Sequence, residues 1–128
     1  MEIPVYSTKA DKINLVANYL MNTTDNGWLF LIGSGGNGKS MATGEAINMW
    51  RRSLGEDDKD DFNDSMIVSL PFSCFPEGNA IYKTMLLKKG SSIVKTIVHV
   101  CIWGPEWEFM AKEWDATVAR FERGTETN

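Results

Sequence analysis

The chain has 128 residues, 43% of them hydrophobic, and a formal net charge of −4. This size and hydrophobic content predict one folded domain with its own core and exclude an intrinsically disordered chain. The acidic balance excludes a general polyanion binder, so any contact with nucleic acid must come from a local patch. We expect neither a membrane span nor a secretory signal, because no apolar run is long enough and no basic-then-apolar start is present. Two cysteines without metal-ligand spacing, Cys74 and Cys101, predict a reduced, intracellular protein and leave nucleus and cytoplasm open.

The first quarter of the chain predicts a helix followed by a strand. Apolar residues at helical spacing predict a helix from about residue 9 to 21, with Ser7 or Thr8 as its N-cap. Turn-forming residues cover 22–27, and the apolar run Trp28–Ile32 has the length of a buried strand. We therefore divide the chain into a lead-in with a helix (1–24), a main domain (25–122) and a polar tail (123–128).

The stretch after this strand, residues 33–40, reads Gly-Ser-Gly-Gly-Asn-Gly-Lys-Ser and fits the P-loop pattern G-x-x-x-x-G-K-S. Glycines let the main chain approach a phosphate group closely, and the N–H groups of the loop and of a following helix, predicted over about 39–53, attract anions. The pattern predicts binding of ATP and Mg²⁺, with Lys39 as the catalytic candidate on the β- and γ-phosphates and Ser40 as the metal ligand. The flanking strand and helix disfavour the alternative, a glycine-rich turn that fits by chance. The other predicted nucleotide contacts are Gly33, Gly35, Gly36, Asn37, Gly38 and Met41.

The remaining segments predict an alternation of strands and helices. The acidic run 56–64 reads as a solvated loop, because it precedes a strand and so lies away from the edge where parallel strands bind ligands. The predicted elements that follow are a strand over 66–70, a helix over 79–88, a basic turn or hairpin over 88–95, a strand over 96–103, a helix over 106–116 and a short strand or helix extension over 117–122. This alternation predicts an α/β fold in which helices cover both faces of a parallel sheet.

The order of these segments resembles the helicase domain of Rep proteins from circular single-stranded DNA viruses and their satellites, a superfamily 3 helicase. Residues 66–73 resemble that family's strand ending in Asp-Leu-Pro-Arg-Ser, and residues 85–95 resemble its hairpin with methionine, lysine, glycine and lysine. Residues 99–107 resemble its segment His-Val-x-Val-Phe-Ala-Asn-x-x-Pro, and residues 110–115 resemble Leu-Ser-x-Asp-Arg-Trp. The resemblance covers about residues 25–122, nearly the whole chain.

This resemblance implies a P-loop NTPase with an AAA+-like α/β fold that acts in viral DNA replication. It implies an ATP-hydrolysing helicase that works as a homo-oligomeric ring around single-stranded DNA, or RNA. Within the hairpin it implies that Lys88, Lys89 and Lys95 contact the nucleic acid backbone without reading its sequence. The alternative for these lysines is an ordinary surface turn.

Several positions depart from the family pattern. An ATPase of this class needs a carboxylate at the end of the second core strand to hold Mg²⁺ and polarise water, and Ser69 stands there instead. The family's water-positioning asparagine and its arginine have no clear match, whereas Glu77, Glu106 and Glu108 follow strand ends and are candidates for the missing acid. Two hypotheses remain, an ATP-dependent helicase domain and a Rep-derived remnant that binds nucleotide without hydrolysis. An unrelated P-loop kinase is a third, disfavoured because no arginine-rich lid segment is visible.

Overall fold

The computed structural model describes residues 3–22, 27–53, 66–70, 81–87, 94–102 and 106–124. These ranges contain six strands and three helices. In chain order the elements are β1 (Val5–Tyr6), α1 (Lys9–Asn22), β2 (Trp28–Ile32), α2 (Lys39–Ser53), β3 (Met66–Leu70), β4 (Ile81–Leu87), β5 (Val94–Val100), α3 (Glu106–Glu113) and β6 (Ala116–Phe121). None of these three helices is long and apolar enough to cross a lipid bilayer.

The strands form one mixed sheet in the order β1-β6-β2-β5-β4-β3. Strands β1, β6, β2 and β5 pair in parallel, and β4 runs antiparallel to both of its neighbours. The last residues of β2, β5 and β6 therefore lie at one edge, which we call the carboxyl edge. The reversed strand β4 begins at this same edge, because Ile81 pairs with Val100 of β5.

Helices cover both faces of this sheet, and β2 is buried between them. Leu29 and Leu31 of β2 pack in the core beneath α1 and α2, whereas Phe30 and Ile32 pack in the core beneath α3. A strand buried on both faces has no polar alternation, which explains why residues 28–32 read as a continuous apolar run. The first core also includes Val16, Leu20, Ala42, Ala46, Ile97 and Phe121, and the second includes Val98, Trp107, Met110 and Ala111.

The N-terminal helix belongs to the same core as the sheet. It begins with a cap in which the Asp11 amide donates to Thr8 Oγ1 at 3.1 Å, as the sequence predicts. Further along α1, the Tyr19 hydroxyl lies 2.6 Å from the Gly27 carbonyl oxygen and 2.9 Å from both main-chain polar atoms of Thr96. These hydrogen bonds attach α1 to the start of β2 and to β5. Helix α1 and the sheet therefore pack in one hydrophobic core.

Most predicted elements are confirmed, but the predicted helix over 79–88 is wrong. Residues 81–87 form β4 in the middle of the sheet, where Ile81, Thr84 and Leu86 are buried. Pairing with β3 and β5 satisfies the main-chain groups on both sides of this strand, and that tertiary context overrides the helical spacing of Ile81 and Met85. The prediction of a wholly parallel sheet is also wrong, because β4 pairs antiparallel with both of its neighbours.

The other differences concern the ends of elements. Strand β5 starts two residues before the predicted position and ends at Val100, helix α3 ends at Glu113, and residues 116–121 form a strand rather than a helix extension. The predicted acidic loop at 56–64, the lysines at 88 and 89, and Glu77 lie outside the described residues.

Candidate functional site

The glycine loop, residues 33–38, connects β2 to α2 at the carboxyl edge of the sheet. Gly36 and Gly38 have φ angles of 81° and 93°, a left-handed region that side chains disfavour. A side chain on Gly33 would overlap the Asn37 amide group and the Phe121 carbonyl oxygen. Local geometry therefore requires glycine at three positions of the pattern, whereas Gly35 faces open space.

Hydrogen bonds fix both ends of the glycine loop. At its start, the Gly33 amide donates to the Val100 carbonyl oxygen at 3.1 Å and continues the pairing of β2 with β5. At its end, the Ala42 amide donates to the Gly38 carbonyl oxygen at 2.9 Å and closes the first turn of α2. The first N–H groups of any helix lack partners within the helix, and the helix dipole adds positive potential there. The loop and the start of α2 thus form a site suited to an anion.

Lys39, the first residue of α2, folds its side chain back over the glycine loop. Its Nζ donates to the Gly33 carbonyl oxygen at 2.8 Å, to the Ser34 carbonyl oxygen at 3.0 Å and to Asn37 Oδ1 at 3.1 Å. Burial lowers the pKa of Lys39, the neighbouring Lys12 lowers it further, and Cys101 acts in the opposite direction. All three acceptors are neutral oxygens, so a charged phosphate oxygen would be a stronger partner for this ammonium group.

Lys12 also reaches the glycine loop, and the sequence analysis missed it. Its Nζ donates to the Asn37 carbonyl oxygen at 2.7 Å and to the Glu122 carbonyl oxygen, and it lies 5.6 Å from the centre of the Phe121 ring. Only 4% of Lys12 is exposed, and burial lowers its pKa. One signal was present in the sequence: residue 12 lies four positions before the buried Val16, on the same face of the helix.

A cleft of about 490 Å³ opens beside the glycine loop. This volume is in the range of small-molecule sites. Its walls are residues 35–41, Tyr82 near the start of β4, and His99 and Cys101 at the end of β5. No carboxylate occurs among these wall residues, and the described part of the chain contains no cluster of three metal-ligating side chains.

His99 connects β5 to the first turn of α2. Its Nε2 lies 2.8 Å from Thr43 Oγ1, and the Thr43 hydroxyl donates to the Lys39 carbonyl oxygen at 3.0 Å. Because that bond uses the only hydroxyl proton of Thr43, Nε2 carries the proton in its contact with Thr43. Burial lowers the pKa of His99 to about 4, and the nearby Lys39 contributes to the shift. His99 is therefore neutral at pH 7 and serves as a hydrogen-bond donor.

The structure brings together all predicted nucleotide contacts of the P-loop pattern. Gly33, Gly35, Gly36, Asn37, Gly38 and Lys39 form or flank the loop, Ser40 is exposed as the second residue of α2, and Met41 lines the cleft. The predicted metal ligand Ser40 thus lies beside Lys39, at the mouth of the same cleft.

The other predicted site residues lie elsewhere. Lys95 lies within β5 and is only 8% exposed, which does not support a contact with a nucleic acid backbone. Ser69 lies on β3, three strand spacings from β2, or about 14 Å. Glu108 is exposed on α3, which packs on the face of the sheet opposite α2. None of these three residues joins the glycine loop.

Comparison of the chain with models of protein families, with curated proteins and with solved structures found no match. The likeness to Rep helicase domains therefore depends on the sequence motifs alone.

The loop conformation makes a prediction that needs no ligand. We expect Gly36→Ala to lower the free energy of unfolding by about 1–2 kcal/mol, because alanine is strained at the φ of Gly36. Gly35→Ala is the matched control, since both glycines face open space and Gly35 has no left-handed φ. Urea denaturation of both variants measures the difference. Equal stabilities of the two variants would contradict the described loop conformation.

The burial of His99 predicts how stability changes in acid. Between about pH 6.5 and 4 the unfolded chain binds a proton at His99 and the folded chain does not, so stability falls as the pH drops. The loss should be on the order of 3 kcal/mol, and His99→Gln should reduce this pH dependence. The chain has one histidine, so NMR of its imidazole gives the titration directly. A midpoint near 6.5 would contradict this prediction.

Proposed function

We propose that this protein is a P-loop nucleotide-binding protein that holds ATP, with Mg²⁺, at the glycine loop. One observation carries the proposal: a loop with two left-handed glycines joins a buried strand to a helix N-terminus, beside a cleft of about 490 Å³. Lys39 and Ser40 follow this loop directly, at the start of α2, in the order that phosphate and metal binding require.

The charges at the loop favour a polyphosphate as the ligand. The ammonium groups of Lys39 and Lys12 both reach Asn37, and no carboxylate occurs among the described residues that line the cleft. A di- or triphosphate would place negative charge beside these two ammonium groups, whose hydrogen-bond acceptors are otherwise neutral oxygens. In that complex Lys39 would exchange loop carbonyls for the β- and γ-phosphates, and the Ser40 hydroxyl would ligate Mg²⁺.

The likeness to Rep helicase domains leads us to place this binding activity in DNA replication, as part of a superfamily 3 helicase-like domain. The four resembling segments support this placement, and they follow the P-loop in the family's order between residues 66 and 115. Lys88 and Lys89 remain candidates for contact with single-stranded DNA, and a homo-oligomeric ring remains the assembly that such a domain would use.

ATP hydrolysis is the second candidate function, and it needs a carboxylate near Mg²⁺. Among the described residues, Tyr82 of β4, His99 of β5 and Cys101 just after β5 line this side of the cleft, and none of them is an acid. One observation favours hydrolysis: β3 ends at the carboxyl edge, because Leu70 pairs with Ile81, and Glu77 follows β3 in the sequence. We therefore propose nucleotide binding as the primary activity and treat Glu77 as the test of turnover.

Titration calorimetry tests the proposed binding. We expect ATP and ADP to bind in the presence of Mg²⁺, and Lys39→Ala to weaken binding by at least about tenfold, because a charge-assisted contact with phosphate is lost. Arg52→Ala is the matched control. Arg52 is an exposed cation in the last turn of the same helix, about 20 Å from Lys39 along the axis. Absence of binding by the wild-type chain at millimolar nucleotide would refute the proposal.

Single-turnover hydrolysis separates the two candidate functions. The enzyme is kept in excess over ATP, with Mg²⁺ present. We expect the wild-type chain to cleave ATP no faster than Lys39→Ala does, because no acid lines the cleft among the described residues. Faster cleavage by the wild type that disappears in Glu77→Gln would replace this expectation with an ATPase. The same Glu77→Gln chain should bind ATP normally in either case.

A further inference from the structure

The buried ammonium group of Lys12 joins three parts of the fold. Lys12 belongs to α1, its acceptor Asn37 belongs to the glycine loop, and its second acceptor is the main chain of Glu122 just after β6. The Glu122 carboxylate forms an ion pair with Arg120 at 2.8 Å. Lys12 instead donates to the main-chain carbonyl oxygen of Glu122. Burying a lysine is costly unless its donors are satisfied, so this arrangement needs an explanation.

Asn37 is the residue on which these contacts converge. Its carbonyl oxygen accepts from Lys12, its Oδ1 accepts from Lys39, and its Nδ2 donates to the Phe121 carbonyl oxygen at 2.7 Å. Asn37 is 4% exposed and sits between the two left-handed glycines. Fixing Asn37 therefore fixes the turn that would receive the phosphates.

We infer that Lys12 is a positioning residue of the phosphate site: it holds the glycine loop in its binding shape by tying Asn37 to α1 and to the end of β6. This inference rests on the proposed nucleotide binding. A loop rich in glycine loses much conformational entropy when it is ordered. A contact that orders the loop beforehand removes that cost from ligand binding and raises affinity.

The positions of its acceptors show how Lys12 would act. Both acceptors are main-chain carbonyls of the protein, so Lys12 acts through Asn37, whereas Lys39 has the side chain that the P-loop pattern assigns to phosphate. Loss of Lys12 should therefore weaken ATP and ADP by the same factor, because both use the same loop. A residue that touched the γ-phosphate directly would affect ATP more than ADP.

The experiment compares Lys12→Met, Lys12→Arg and Lys9→Met in the full chain. Methionine keeps most of the aliphatic stem and removes the donors, arginine keeps a charged donor, and Lys9 is an exposed lysine one turn earlier in α1. Calorimetry with Mg·ATP and Mg·ADP should show a loss of about ten- to hundredfold for Lys12→Met, equal for both nucleotides. Lys12→Arg should recover part of this affinity, and Lys9→Met should match the wild type.

Hydrogen exchange supplies a readout that a general loss of stability would not give. In Lys12→Met, amides of residues 33–41 should exchange faster while those of 94–100 in β5 keep their wild-type protection. If Lys12→Met does not unfold cooperatively, Lys12→Gln takes its place, because its amide is polar yet too short to reach both carbonyls. The same affinity loss is expected for that variant.

The outcomes separate this inference from the proposed function. If the wild-type chain binds no nucleotide, the proposed function fails. If the wild type binds and Lys39→Ala binds more weakly, but a folded Lys12→Met or Lys12→Gln binds as the wild type does, only the role of Lys12 is refuted. A loss confined to ATP would also overturn positioning, in favour of direct contact with the γ-phosphate.

Discussion

The hydrogen bonds of Asn37 are the constraint on which the candidate site depends. Asn37 accepts hydrogen bonds from the buried ammonium groups of Lys12 and Lys39, and its side-chain amide donates to the Phe121 carbonyl oxygen at the end of β6. Two like charges directed at one residue repel each other, and Lys12 indeed lowers the pKa of Lys39. Neutral oxygens compensate this repulsion within the protein, and a polyphosphate would compensate it better. The hydrogen bonds of Asn37 thus hold the glycine loop in place, and the two ammonium groups beside it are the reason that we propose an anionic ligand.

The direction of β4 decides which side chains can meet that ligand. Because β4 runs antiparallel to β5, β4 begins at the carboxyl edge and ends at the opposite edge. Tyr82, near the start of β4, therefore lines the cleft. On the side of β2 that faces β4, the neighbouring strand is β5, which contributes His99, and Cys101 follows directly after it. An acid placed by family motif on β3 has two strands between itself and β2. The sheet topology thus keeps any side chain on β3 about 14 Å from β2, whichever residue stands at position 69.

The sequence predicted correctly those features that depend on residues close together in the chain. The apolar run of β2, the Thr8 cap and the glycine turn between β2 and α2 each depend on neighbouring residues, and the structure confirms these three local features. The strand β4 and its direction depend on pairing with β3 and β5, which no local spacing reveals. Lys12 was missed for a similar reason: its acceptors are 25 and 110 positions away in the chain, and only the folded sheet brings them together.

The start of α2 is held from two sides, and the proposed phosphate binding would use this rigidity. From the side of α1, Lys12 fixes the loop through Asn37. From the side of β5, His99 donates to Thr43, which donates in turn to the Lys39 carbonyl oxygen. Because His99 is neutral at pH 7, it adds no charge to its wall of the cleft, so the positive charge stays with the two lysines at the loop. Neutral side chains on one side and cations on the other would direct a phosphate chain toward the glycine loop.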